Sequence, residues 1–435
     1  MRKQKIFIFE FVSGGGYNTM LMPSSLFCEG YSMLKSIIED FYDLNFEIYT
    51  LLDKRIAFLG RYLKVNKLAL IDENCNYLET YKQLLLKSDA CFIIAPEFSN
   101  ILYNLTEIAS SYKKEIYSVG LEGIKLGASK MRTYSFFKRS HIPTPETYLI
   151  PTCNNQLDLD FIYEKFYDLN QSIIIKPEDG VGAELILHIN EKSQIDKFFK
   201  NESLFLKKSR LFILQEYVEG IDMSISLLGI LEKKHIEPYI LSVNTQNILL
   251  PKGSIDSQYN GGLSPAVIGK KTQKSLKKVL HKLDFSYFKG YFGIDFILTP
   301  DNSFQFIEIN PRLTTSYLGI RNIYNTNPLQ SFFQSKKKGI IKIIKRPNYL
   351  SEYYRLDLKY IGEETINSIR NEIITNLIKE IPELITPPIL LDETYSDRYS
   401  CFIATKTRDI TTSKRRRNQI IDHLKNYDFI QLNGD

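Results

Sequence analysis

A chain of 435 residues with 43% hydrophobic and 24% charged residues can bury two or three cores, which excludes disorder as its governing state. Its formal net charge of +6 is modest for that length, so nucleic-acid binding does not follow from charge. The five cysteines show no C-x-x-C spacing and the five histidines no H-E-x-x-H pattern. These counts argue against zinc hydrolysis and thiol catalysis, and for buried thiols in a reducing compartment.

From the N-terminus, Ile6-Phe7-Ile8-Phe9-Glu10-Phe11 is an apolar run too short to span a bilayer and reads as a buried strand, with the cytoplasm as the expected location. Val12-Ser13-Gly14-Gly15-Gly16 follows as a glycine loop, and the apolar spacing from Ser24 to Phe41 predicts a helix started by Pro23 and Ser24 or Ser25. Further strands are expected at Phe46–Leu51, Ala90–Ala95 and Ile116–Val119. The alternation points to a parallel sheet in an α/β domain over residues 1–123. A helix running through Phe137 is ended by Ile142-Pro143-Thr144-Pro145.

A second unit, taken as 124–335, has strand signals at Ser172–Pro177, Glu184–Ile189, Leu211–Val218, Ser224–Leu231 and Ile236–Val243. Asn244 to Gly262 reads as a polar loop, Lys270–Leu283 as a helix, and Gly290–Leu298 with Ser303–Ile309 as strands. So many consecutive strands make this unit α+β. Residues 346–435 form an additional C-terminal α/β or α+β region. Lys336-Lys337-Lys338 and Lys414-Arg415-Arg416-Arg417 read as solvated surface, and no specific nucleic-acid or membrane partner is expected.

The chemistry concentrates in three stretches. Asp295 and Glu308 lie on neighbouring strands turned at Pro300 to Ser303, and Glu308 and Asn310 share one strand face because they are two apart. Their hard oxygens suit magnesium when polyphosphate and water complete its shell, and Arg312 directs a cation towards phosphate. Lys176 ends the apolar strand Ile173–Pro177, ahead of a lid carrying Gly180 and Gly182. In Leu214-Gln215-Glu216-Tyr217-Val218-Glu219-Gly220-Ile221-Asp222, backbone groups of the strand end suit an adenine edge, and Asp222 suits ribose hydroxyls.

Together with Lys130 in Ala-Ser-Lys, these segments resemble the ATP-grasp family over roughly residues 125 to 325. The resemblance implies two α+β subdomains gripping ATP behind an α/β partner domain. It also implies phosphate contacts from Lys130 and Lys176, a lid at Gly180 and Gly182, and an adenine hinge at Glu216, Tyr217 and Val218. Asp222 would contact ribose, and Asp295, Glu308 and Asn310 would hold Mg2+, with Mn2+ as an alternative. Lys176 and Arg312 would be catalytic. The D-alanine-ligase-like branch often places an arginine two residues before the first metal carboxylate; here that residue is Gly293.

Glu10 to Gly16, Pro23 to Gly30 and Asn310 to Tyr317 more closely resemble the archaeal tyramine–glutamate ligases of methanofuran biosynthesis, with Tyr259-Asn260-Gly261-Gly262 as a substrate loop. That branch implies L-glutamate and tyramine as substrates and ADP and phosphate as products, formed through a γ-glutamyl phosphate. Another ATP-grasp carboxylate–amine ligase and an ATP-binding regulatory protein are the alternatives. Oligomeric state, including a homo-oligomer, stays open.

Overall fold

The computed structural model describes all residues except 1, 154–155, 181–184, 201–209, 233–234, 255–256, 331, 334–348, 393–394 and 433–435. The N-terminal domain is a five-stranded parallel sheet of order β3-β2-β1-β4-β5, from β1 (Lys5–Glu10), β2 (Glu47–Asp53), β3 (Lys67–Ile71), β4 (Ala90–Ile94) and β5 (Glu115–Ile116). Helices α1 (Ser24–Asp43), α2 (Tyr77–Leu86) and α3 (Ile101–Ser111) accompany it. A parallel strand is covered on both faces, hence the unbroken apolar run. Ile6 and Ile8 pack with α1 residues, whereas Phe7 and Phe9 meet the edge of Tyr81 at ring separations of 5.1 and 5.0 Å. β3 was absent from the sequence expectation because Lys67–Ile71 is half-exposed and short, and β5 is shorter than expected.

Glu10, at the C-terminal end of β1, is buried and accepts hydrogen bonds from the Val12 N–H and from the Ser13 N–H and hydroxyl at 3.1, 2.6 and 2.6 Å. It thereby shapes the start of the glycine loop. Burial pushes its pKa from 4.5 up to about 7. A carboxyl whose pKa is raised on folding contributes stability below its unfolded value and loses it as pH rises through the folded one. The thermal-midpoint advantage of wild type over Glu10→Gln is therefore expected to shrink between pH 5 and pH 8; a constant difference would contradict this.

Helices α4 (Leu121–Gly127) and α5 (Lys130–Arg139) lead to a small antiparallel sheet of order β10-β9-β11-β6, from β6 (Thr147–Leu149), β9 (Ile173–Pro177), β10 (Leu187–Ile189) and β11 (Phe212–Glu216). The pair β7 (Thr152–Cys153) and β8 (Gln156–Leu157), with α6 (Leu159–Asp168) and α7 (Lys192–Lys200), completes this unit. It has a core of its own around Ile162, Phe166, Ile175 and Leu214.

The large sheet is antiparallel, in the order β16-β15-β12-β13-β14-β17-β19-β18, with β20 also paired to β17. Its first part contains β12 (Ile221–Glu232), β13 (His235–Leu249), β14 (Gln258–Ser264), β15 (Gly290–Leu298) and β16 (Phe304–Asn310), with α8 (Lys270–Leu280) and α9 (Ser316–Ile323). The polar loop expected over 244–262 is largely strand: β13 runs to Leu249 and β14 begins at Gln258. Gly261 shows why glycine is needed there, since it has φ of +110° and a Cβ would fall 2.0 Å from the Tyr353 carbonyl oxygen.

That close approach joins β14 to β17 (Ser351–Tyr360), so the C-terminal strands extend the same sheet. They continue with β18 (Leu384–Asp392), β19 (Tyr395–Ala404) and β20 (Phe429–Gln431), and are packed by α10 (Ile374–Glu380) and α11 (Ile410–Lys425). Helix α1 lies against β18 and β19 as well as the N-terminal sheet. It is also clamped to α9, where buried Asp40 accepts hydrogen bonds from Arg321 Nε at 3.0 Å and Tyr317 Oη at 2.5 Å. Among the described residues no helix is long and apolar enough to cross a membrane.

Candidate active site

A cleft of about 400 Å³ separates the small antiparallel sheet from the large one. The β15–β16 hairpin supplies its floor: Asp295 stands directly opposite Glu308, and Gly293 opposite Asn310. Asn310 Nδ2 donates to Asp295 Oδ2 at 2.9 Å, and Gln246 Nε2 donates to Asp295 Oδ1 at 3.2 Å. Burial, followed by the charge of Glu308, pushes Asp295 up to about 7. Burial also opposes ionisation of Glu308, but Lys130 and Lys176 outweigh it and hold that carboxyl below its ordinary value.

The cations arrive from three other elements. Lys130, the first residue of α5, places Nζ 3.4 Å from Glu308 Oε2 and donates to the Gly180 carbonyl at 2.6 Å. Lys176, near the end of β9, is only 6% exposed, and burial lowers its pKa to about 8. Arg312 donates through Nε to Glu97 Oε2 at 3.0 Å and through Nη1 to the Leu313 carbonyl at 3.1 Å.

At the far end, Glu216, Tyr217, Val218 and Asp222 line the same cleft. The Glu216 N–H is taken by the Glu146 carbonyl and the Tyr217 N–H by the Ser172 carbonyl, at 2.8 and 3.1 Å. The Glu216 carboxylate accepts the Glu146 N–H at 3.3 Å. Val218 therefore presents the backbone N–H at this strand end that has no partner among the described residues. Burial raises the pKa of Asp222, opposed by Lys176. Eleven of the twelve sequence-derived site residues (Lys130, Lys176, Gly180, Glu216, Tyr217, Val218, Asp222, Asp295, Glu308, Asn310 and Arg312) line this cleft. Gly182 lies outside the described residues.

Three contributors escaped the sequence reading, and a fourth, Glu29, lay inside the Pro23–Gly30 segment without being singled out. His188 on β10 stacks on Tyr217 with ring centroids 4.0 Å apart, and its Nε2 lies 3.2 Å from Ser172 Oγ. Gln246 lies on a stretch read as loop. Glu29 on α1 accepts the Thr315 hydroxyl, and Glu97 follows β4. For Glu97 there was a signal: a carboxylate just past the carboxyl end of a buried parallel strand, where open α/β sheets bind ligands.

The donor set fits a hard divalent cation. Asp295, Glu308 and Asn310 offer side-chain oxygens on adjacent strands, and a cation between the carboxylates would reverse the repulsion that raises Asp295. The Asn310 amide turned by 180° would present its oxygen. No group of three or more His, Cys, Asp or Glu side chains arranged to hold a metal ion occurs among the described residues, so phosphate oxygens and water would complete such a shell. At Gly293, where the D-alanine-ligase-like branch carries an arginine, a Cβ would sit 2.9 Å from Thr314 Cγ2, so a side chain there requires Thr314 to shift.

Residues 127–316 match the ATP-grasp domain family, and residues 46–118 match the pre ATP-grasp 3 domain. The tyramine–L-glutamate ligase of Methanocaldococcus jannaschii is 28% identical over 331 residues, which cover 75% of this chain and 86% of the relative. The biotin carboxylase domain of Hydrogenobacter thermophilus 2-oxoglutarate carboxylase, solved with MgADP, superposes with a TM-score of 0.68 at 11% identity. That likeness covers 97% of this chain and 90% of the other. The L-amino acid ligase of Bacillus licheniformis superposes with a TM-score of 0.62 at 13% identity over 100% of both chains. Fold and site define an ATP-dependent ligase. Residues 127–316 are an ATP-grasp domain, and the chain is related to archaeal glutamate ligases.

Proposed function

We propose that this enzyme joins the side-chain carboxylate of L-glutamate to the amine of tyramine, consuming ATP and releasing ADP and phosphate, as a step of methanofuran biosynthesis. The observation that carries the ligase chemistry is the convergence of Asp295, Glu308 and Asn310 with Lys130, Lys176 and Arg312 in one cleft. The glutamate and tyramine assignment is supported by the 28% identical relative of that activity.

A carboxylate is a poor electrophile, and transfer of a phosphoryl group to its oxygen supplies a leaving group for amide formation. In this reading Val218 N–H meets the adenine edge and Asp222 the ribose. Lys130 and Lys176 hold the phosphates, and Asp295, Glu308 and Asn310 hold magnesium. Bound there, the metal would supply Lewis-acid neutralisation of the charge on the transferring oxygens. Arg312, kept oriented by Glu97, faces the acyl-phosphate oxygens and stabilises charge as it develops. The neutral amine of tyramine attacks the acyl carbon, phosphate leaves, and the ammonium proton is lost. Closure of the small sheet over the cleft limits hydrolysis of the activated acid.

The test is an incubation with MgATP, L-glutamate and tyramine, read by product mass and fragmentation beside ADP and phosphate. A γ-linked glutamyltyramine in stoichiometric yield is expected. ATP turnover that requires a different acid or amine, with none of this amide formed, would overturn the substrate assignment.

A further inference from the structure

The carboxylates facing the cleft are nearly all accounted for. Asp295 and Glu308 form the cation site, Glu216 accepts a neighbouring backbone N–H, and Asp222 lies by the hinge. Glu29 is different. It enters from α1, takes the Thr315 hydroxyl on Oε1, and has no Lys, Arg or His within 4.0 Å among the described residues. The nearby cations are committed elsewhere, Arg312 to Glu97 and Lys130 to Glu308.

We propose that Glu29 binds the ammonium group that an amino-acid substrate keeps throughout the reaction, and that the C-terminal strands fix Glu29 in place through Thr386. This rests on the ligase reading above, which names L-glutamate, and adds to it the residue that selects an α-amino acid over a plain dicarboxylate. A fixed carboxylate complements a permanent cation through a charge-assisted hydrogen bond. It serves the attacking amine poorly, because holding that amine as an ammonium opposes the proton loss that attack requires. Thr315 follows Arg312 by three residues in the segment that leaves the cation-binding strand, so the Glu29–Thr315 contact places the ammonium site beside the segment that carries Arg312.

Thr386 on β18 is fully buried and does not line the cleft. Its hydroxyl donates to the Cys28 carbonyl at 2.9 Å and lies 2.6 Å from Ser32 Oγ, so it grips α1 on both sides of Glu29. Lys35 Nζ adds a bond to the Ile385 carbonyl at 3.2 Å. The matched ATP-grasp segment ends at residue 316, well before this strand. Thr386 is thus a positioning residue, and β18 acquires a part in substrate selection.

The test uses the full-length enzyme with tyramine and either L-glutamate or glutarate, the same acid without its amine, with ADP release as the readout. Glu29→Gln keeps an acceptor for Thr315 but loses the charge. It is expected to lower kcat/KM for glutamate by about 10²-fold while leaving glutarate and the KM for ATP nearly unchanged. Thr386→Val, with its thermal midpoint recorded, should shift the glutamate-to-glutarate ratio in the same direction by about 10-fold, again without moving the KM for ATP. Equal losses on both acids, an unchanged ratio, or a change only in magnesium dependence would overturn the proposal. Failure of wild type to release ADP with glutamate would instead overturn the ligase reading, and this inference with it.

Discussion

Replacing Glu308 with Gln should lower kcat by about 10³-fold, with the half-saturating magnesium concentration raised and the fold retained. The substitution preserves volume and one acceptor oxygen but removes a negative charge opposite Asp295 and 3.4 Å from Lys130. A hard cation held by two carboxylates and an amide would then be held by one carboxylate and two amides. Asp295 would ionise more readily once its charged neighbour is gone, which offsets part of the loss of cation affinity. The residual defect should therefore lie in transition-state charge stabilisation and show in kcat. A magnesium titration of ADP release measures both effects; unchanged turnover and unchanged metal dependence would remove Glu308 from the proposed role.

The second large effect is expected from Lys176→Met, a fall of about 10²- to 10³-fold in kcat/KM for ATP without loss of stability. Lys176 is 6% exposed and its pKa is lowered to about 8, so its charged form is strained by burial in the free enzyme. Methionine fills similar space with no charge to desolvate, and the thermal midpoint should hold or rise at pH 7. A cation is needed for phosphate contact and is lost on deprotonation. Apparent ATP affinity of wild type should thus weaken as pH rises through about 8, a limb that the methionine variant lacks. Retention of the limb in Lys176→Met would assign it to another group.

Where the fold could be anticipated, one pattern dominated locally. Strands β1, β2 and β4 of the N-terminal domain show as buried apolar runs, and the β15–β16 hairpin shows as apolar residues flanking Asp295 and Glu308. β13 and β14 were hidden for a functional reason. Asn244 and Gln246 turn polar side chains to the sheet face that carries Asp295, and Gly261 and Gly262 are demanded by the close approach of β17. Amides and glycines in that density read as loop.

Nucleotide-facing residues were legible because each sits inside a compact segment whose order carries meaning. The contacts of Glu29 and Glu97 were not, because these residues lie 286 residues before Thr315 and 215 before Arg312, their respective partners. No local pattern encodes a contact of that span. The role of the C-terminal strands was equally out of reach, since it depends on a β14–β17 pairing and a Thr386 contact made only after folding.

Activation of a carboxylate by phosphoryl transfer is the central step of the proposed reaction, and oxygen tracing addresses it directly. With L-glutamate carrying ¹⁸O in its side-chain carboxyl, and with MgATP and tyramine, one ¹⁸O atom should appear in each phosphate released. Phosphate free of the label, or release of AMP and pyrophosphate in place of ADP, would contradict it.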